Sequence, residues 1–105
     1  MTSNYLNPGP GKDETEALKG AVLLEFGTNW CGHCKAATPL AEEALKEFPG
    51  VPHIQVEDGQ GRKLGRIFKV KLWPTFIVLK DGVEVSRSVR PLTSQQISEG
   101  IKLAL

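Results

Sequence analysis

Sulfur is scarce in this chain. Its 105 residues include two cysteines and one methionine. No framework of structural disulfides can therefore hold the protein together, and any thiol chemistry is confined to one place. A surplus of one charge is also lacking. Thirteen Lys and Arg stand against twelve Asp and Glu, a formal net charge of +1 at pH 7, so electrostatics gives no reason to expect nucleic acid or an acidic membrane as partner. No apolar run approaches the roughly 18 residues of a membrane span. The start, Met1-Thr2-Ser3-Asn4, lacks the charged-then-apolar layout of a signal peptide, and a cytoplasmic location is expected. Repeats and low-complexity tracts are missing too. What remains is the ordinary make-up of a soluble globular protein, 40% hydrophobic and 24% charged. The length fits one domain that buries somewhat under about 70% of its unfolded surface, enough for a core without staples. A monomer is expected.

Residues 1–12 contain Pro8-Gly9-Pro10-Gly11 and read as a flexible arm before a domain over 13–105, with Tyr5-Leu6 as a stub of strand at most. A short helix follows from Asp13 to Lys19, Asp13 serving as its cap. Ala21 to Phe26 is a continuous apolar run broken by one acid, Glu25, as suits a central strand covered on both faces. From about Cys31 to Phe48, apolar residues recur at Ala37, Leu40, Ala41, Ala44, Leu45 and Phe48, the stripe of a buried helix face. Pro39 inside that pattern predicts a kink, and Pro49-Gly50 ends the helix. Val51 to Glu57 is a second strand, with Ile54 and Val56 on one face; Arg62 to Phe68 is a short helix. Thr75–Lys80 and Val83–Val89 are strands joined by Asp81-Gly82, a two-residue hairpin signal. Thr93 and Gln96 form a capping box for a last helix, with Leu92 and Ile97 as its staple. Ile97, Ile101, Ala104 and Leu105 give that helix its apolar face. The order predicts an α/β fold, one mixed sheet with helices on both faces.

The two cysteines lie together in Trp30-Cys31-Gly32-His33-Cys34-Lys35. A pair two residues apart closes and opens a disulfide with little backbone movement, which suits a two-electron switch better than a staple. Cys31 falls at the start of the long helix, where unpaired N–H groups and the helix dipole stabilise an anion. A thiolate is the nucleophile in disulfide exchange, and such a position favours it. Cys34 sits one turn inside and is less accessible. The expected division of labour has Cys31 attack a substrate disulfide and Cys34 resolve the mixed disulfide. Two other readings stay open: inert core cysteines, and half of a zinc site completed by His33 and His53.

These residues carry a resemblance. Glu25-Phe26 leading into Trp30-Cys31-Gly32-His33-Cys34-Lys35, then Pro39, then Trp73-Pro74-Thr75, then Lys80-Asp81-Gly82, resemble the thioredoxin family from about Ala21 to Leu105. The Cys-Gly-His-Cys centre and the acid at Glu25 look like the catalytic domains of protein disulfide isomerase. The resemblance implies a thioredoxin fold, and Pro8 to Gly11 leave its first strand short or absent. It also implies thiol–disulfide exchange with protein substrates, recycling by a reductase or oxidant, and no cofactor beyond the Cys31–Cys34 disulfide. A non-catalytic binding or redox-sensing module of the same fold is the alternative, separated by whether the protein accelerates insulin reduction.

Residue by residue, the resemblance makes Glu25 the buried acid that relays a proton to and from Cys34, and Pro74 a cis-proline facing the cysteines. Trp30, Gly32, Trp73, Pro74, Thr75 and Arg90 form the implied substrate surface. His33, beside the nucleophile, implies a more oxidising centre than a proline would. The chain also departs from the pattern. Gly27 stands where the family usually has an aromatic residue, and Arg90-Pro91 where a small Gly is common. The family's strand lysine near the acid falls at about Gln55.

Overall fold

The computed structural model describes residues 5–6 and 9–105. Among them, four helices and four strands follow one another as α1 (Lys12–Glu16), β1 (Ala21–Gly27), α2 (Gly32–Leu45), β2 (His53–Glu57), α3 (Lys63–Ile67), β3 (Thr75–Lys80), β4 (Val83–Val89) and α4 (Ser94–Lys102). The strands form one mixed sheet in the order β2-β1-β3-β4. β1 runs parallel to β2 and antiparallel to β3, and β3 pairs antiparallel with β4. The apolar run at 21–26 is thus an inner strand, as its near-continuous hydrophobicity demands.

Alternation along β1 supplies two cores. Leu23 faces α2 and α4, packing with Ala37, Ala41, Phe76, Ile97 and Ile101. Val22, Leu24 and Phe26 face the other side, with Val56, Leu64 of α3, Ile77 and Leu79. The α2 stripe toward the sheet is mostly alanine, which lets the helix lie close. Pro39 falls within α2 on its exposed side, and the helix continues through it to Leu45.

The hairpin signal has its physical basis in the turn. Asp81 and Gly82 both have positive φ, 51° and 82°, the combination a two-residue hairpin turn needs to follow strand twist. Asp81 also accepts the Gly20 N–H at 2.8 Å. Thr93 and Gln96 form the reciprocal capping box on α4.

Several expectations need correction. α1 is capped by Gly11, with Glu14 reaching back to the Gly11 N–H, so the helix starts at Lys12 and Asp13 lies inside it. The Leu92–Ile97 staple does not form: Ile97 is buried, but Leu92 is 85% exposed. Gln96 accepts the Leu92 N–H, which holds the backbone while the side chain points away. Leu105 is exposed as well, because the last helix ends at Lys102.

Of residues 1–12, positions 1–4, 7 and 8 lie outside the described residues. Tyr5 and Leu6 are attached to the domain. Leu6 forms a parallel bridge to Val56, with Leu6 N–H to Gln55 C=O at 2.8 Å and Glu57 N–H to Leu6 C=O at 3.0 Å. This is the remnant of a first strand, lying along the outer edge of β2.

A Cβ at Gly82 would meet left-handed backbone strain and would also approach the Glu16 backbone within 2.9 Å. Gly82→Ala should therefore cost more than about 1 kcal/mol. Gly50→Ala, where nothing lies within 4 Å, should stay within about 0.5 kcal/mol of the parent. Urea unfolding of both variants checks the contrast, and equal stabilities would refute it.

Candidate active site

The candidate site sits where β1 ends and α2 begins. Cys31 is the N-cap of α2, in extended conformation, and its sulfur accepts the Cys34 N–H at 3.2 Å. A sulfur thus does the capping that Ser, Thr or Asp does elsewhere. Cys31 is half-buried and Cys34 is 1% exposed. Both are free thiols. The two sulfurs are unlike in consequence. Burial pushes the Cys34 thiol up from 9.0 to about 12, helped by the neighbouring Cys31 sulfur. The Thr28 backbone N–H and the Tyr5 hydroxyl pull the other way.

Gly27 explains how the Cys34 sulfur fits. A Cβ there would overlap that sulfur and stand 3.0 Å from the Tyr5 hydroxyl. The space left by the missing aromatic at 27 is filled by Tyr5, which is 6% exposed.

Glu25 is fully buried on the same face of β1. Every donor a sealed carboxylate needs is supplied by side chains. Tyr5 donates to Oε2, as does Thr38 at 2.8 Å. On Oε1, His53 Nε2 lies at 2.7 Å and Gln55 donates at 3.4 Å. Thr38 can turn its single hydrogen instead to the Cys34 carbonyl at 2.9 Å. Gln55 is the register partner of Glu25 across the parallel pair. His53, two residues earlier, faces the same side and takes the closer place.

Trp73-Pro74-Thr75 enters β3. Thr75 pairs with Phe26, so Pro74 lies beside Gly27 at the sheet end from which the chain runs to Cys31. The Trp73–Pro74 bond is cis. Trp73 Nε1 donates to Asp58 at 2.8 Å, and its ring lies against Gly59. Arg90 holds this loop from the other side. Its N–H donates to the Pro74 carbonyl at 2.9 Å and its Nε to the Trp73 carbonyl at 2.7 Å. Arg90 has φ of 49°, a conformation that favours glycine and is strained for Arg. Arg90 also lines a groove with His33, Ala36, Leu40, Pro91 and Leu92. Trp30, 68% exposed, stands beside Cys31; Gly32 and His33 are exposed on the first turn of α2.

The fold therefore gathers Cys31, Cys34 and Glu25 around the end of β1, with His33 and Arg90 on one groove and Trp73 tied to the β2–α3 loop. Tyr5 and His53 were absent from the set read off the sequence for this chemistry. Tyr5 is 20 residues from Glu25 and sits before a Pro-Gly tract. His53 carried a signal: period-two alternation puts His53 and Gln55 opposite Ile54 and Val56, on the face where Glu25 points. Among the described residues, no three His, Cys, Asp or Glu side chains gather to hold a metal ion.

The raised Cys34 pKa makes the reduced protein sensitive to alkali. The folded state favours the thiol, so this stabilisation is complete below about pH 9 and fades as pH climbs toward 12. The stability difference between the reduced parent and Cys34→Ser should shrink across that interval in urea titrations. A difference that stays constant would contradict it.

Known proteins agree with this geometry. The family model described as Thioredoxin matches residues 12–103. A thioredoxin of Chlamydia trachomatis serovar D is 40% identical over 70 residues, 67% of this chain and 69% of that protein. An H-type thioredoxin of Fagopyrum esculentum is 35% identical over 68 residues, 65% of this chain and 59% of that protein. The chain thus spans less than two thirds of the Fagopyrum protein. The solved structure of thioredoxin 2 from Pseudomonas aeruginosa PAO1, in its reduced form, superposes with a TM-score of 0.86 at 50% identity, over 99% of this chain and 97% of that one. With the mixed sheet, Cys31 at the N-cap of α2 and a family model spanning residues 12–103 in agreement, the chain belongs to the thioredoxin family.

Proposed function

We propose that this protein is a thiol–disulfide oxidoreductase that exchanges disulfides with protein substrates. The observation that carries the reading is the inequality of the two sulfurs: Cys31 is accessible at a helix N-cap, and Cys34 is buried one turn inside. The Cys31 thiolate attacks one sulfur of a substrate disulfide. That bond breaks, the distal substrate sulfur leaves and takes up a proton, and a mixed disulfide forms. Cys34 gives its proton to Glu25 and attacks the Cys31 sulfur. The Cys31–Cys34 disulfide closes, and the second substrate sulfur leaves as a thiolate that takes up a proton. Two electrons have passed to the substrate, and a recycling dithiol reductant restores the pair. Run backwards, the same steps oxidise a substrate dithiol.

Substrate binding is assigned to Trp30, Gly32, Trp73, Pro74, Thr75 and Arg90. Pro74 has no N–H, so an extended segment beside it meets no competing donor there. Arg90 and the exposed Leu92 border the groove next to His33, which suits a segment with acidic and apolar side chains. The Cys-Gly-His-Cys centre further suggests a poise like that of protein disulfide isomerase, since a protonated imidazole beside Cys31 favours the dithiol. Both sulfurs and the buried acid come from one chain, which supports action as a monomer. Among the described residues, no helix is long and apolar enough to cross a membrane. With both cysteines in the exchange centre no structural disulfide is left, which supports a site of action in the cytoplasm, where thiols stay reduced.

With dithiothreitol, the protein should accelerate insulin precipitation. Cys34→Ser should accumulate mixed disulfides with substrate while Cys31→Ser should form none. Trapping on Cys34 in place of Cys31 would reverse the assignment, and no acceleration by the parent would favour a non-catalytic module.

The redox potential should lie between about −270 and −180 mV, the values that mark thioredoxin and protein disulfide isomerase. His33→Pro should lower it, read by equilibration against a glutathione series. An unchanged potential would shift the control of poise to Arg90.

A further inference from the structure

The acid assigned to the resolving step has four side-chain partners, and among the described residues the Cys34 sulfur is not one of them. Glu25 Oε2 is taken by Tyr5 and Thr38, and Oε1 by His53 and Gln55. One side chain spans the remaining gap. The Tyr5 hydroxyl donates to Glu25 Oε2, and that hydroxyl and the Cys34 sulfur converge on the same point above Gly27.

We propose that Tyr5 is a catalytic residue, the link through which the Cys34 proton reaches Glu25, and that His53 is a positioning residue and the outlet by which the proton leaves. This rests on the dithiol exchange described above. As Cys34 turns to attack Cys31, its S–H proton passes to the Tyr5 oxygen while the Tyr5 O–H proton passes to Glu25 Oε2. Tyr5 ends as it began, a neutral phenol. The Glu25–His53 pair holds one added proton, and the Cys34 sulfur carries the charge that becomes the new S–S bond. The imidazole, whose side chain is 17% exposed, then releases the proton to water.

Three further features fit. Burial beside the Glu25 carboxylate holds the Tyr5 phenol far above its ordinary range, so it passes protons on and does not itself ionise. Contact with the Tyr5 hydroxyl favours the charged form of Cys34, the form the attack needs. Tyr5 is fixed by the neighbouring backbone: its N–H donates to Asn29 Oδ1 at 3.4 Å, and Leu6 pairs with β2 on either side of Val56. The remnant strand therefore sets the phenol on the reacting sulfur. The titratable groups facing Glu25 are Tyr5 from the N-terminal segment, His53 from β2 and, through Tyr5, Cys34 from α2. Thr38, Gln55 and, from β3, Phe76 are neutral.

Acid-quenched single-turnover reduction of a disulfide peptide, with mass detection, separates attack from resolution. Tyr5→Phe keeps the ring and removes the O–H. Cys31 attack should stay within about twofold of the parent, and resolution should slow at least tenfold, the lower end of what positioned proton transfer supplies being about 10²-fold. The mixed disulfide should accumulate. His53→Gln keeps a donor for Glu25 but cannot take up the proton, so the pH dependence of resolution should change shape while that of attack does not. Tyr5→Phe resolving as fast as the parent would overturn the role of Tyr5. Equal slowing of both steps would also overturn it, marking a general loss of structure. A His53→Gln resolution profile identical to the parent's would overturn the outlet. Glu25→Gln separates the Tyr5 relay from the thiol–disulfide exchange itself. If it slows resolution while Tyr5→Phe does not, the relay bypasses Tyr5 and the exchange reading stands. If the parent forms no mixed disulfide at all, the exchange reading itself fails.

Discussion

A carboxyl group sealed inside the sheet is the constraint around which this molecule is arranged. Taking a carboxylate out of water costs several kcal/mol even after the protein relaxes, and only charge-assisted hydrogen bonds of about 1.5–3 kcal/mol each can offset it. Glu25 is fully buried on an inner strand, so its donors must come from elements packed against that strand. They do: Thr38 from the long helix, His53 and Gln55 from the parallel neighbour, and Tyr5 from the remnant strand. Removing any one leaves a carboxylate oxygen with one donor fewer inside the fold. The cluster thereby ties the N-terminal segment, the β1–β2 pair and the first turns of α2 into one unit, with the resolving sulfur at its edge.

The far side of the site is built by a different means. Polar bonds hold the loop into β3 from two sides. Asp58 takes the indole N–H of Trp73, while Arg90 takes the carbonyls of Trp73 and Pro74. Arg90 holds a backbone conformation that glycine would adopt freely. The bond from its side chain to the Trp73 carbonyl compensates for that strain locally.

Much of this was legible in the sequence because it is local. The apolar run at 21–26 marked an inner strand, Asp81-Gly82 marked a turn that needs two positive φ values, and Thr93 with Gln96 marked a helix start. The cysteine pair and Glu25 were visible as residue types at fixed spacing. What escaped was long-range. Pro8-Gly9-Pro10-Gly11 breaks regular structure, so the segment before it reads as an arm, although Tyr5 reaches a partner 20 residues away. His53 invited a metal reading because imidazole is a common ligand, whereas its register beside Gln55 points it at an acid. The Leu92–Ile97 staple failed for another reason. Gln96 already holds the Leu92 backbone, so no apolar contact is needed to fix the entry angle of the helix, and the side chain is left beside the groove.

Gly27 and Tyr5 share one small volume beside the resolving sulfur, and this couples what each position can hold. A side chain added at Gly27 while Tyr5 is present collides with both the phenol and the sulfur. Losing Tyr5 first leaves a hole and strips Glu25 of a donor. An aromatic side chain at position 27 and the Tyr5 phenol are therefore mutually exclusive ways to fill the same volume. Transplanting the Cys31–Cys34 loop into a related scaffold would carry its chemistry intact only if positions 5 and 27 travelled with it.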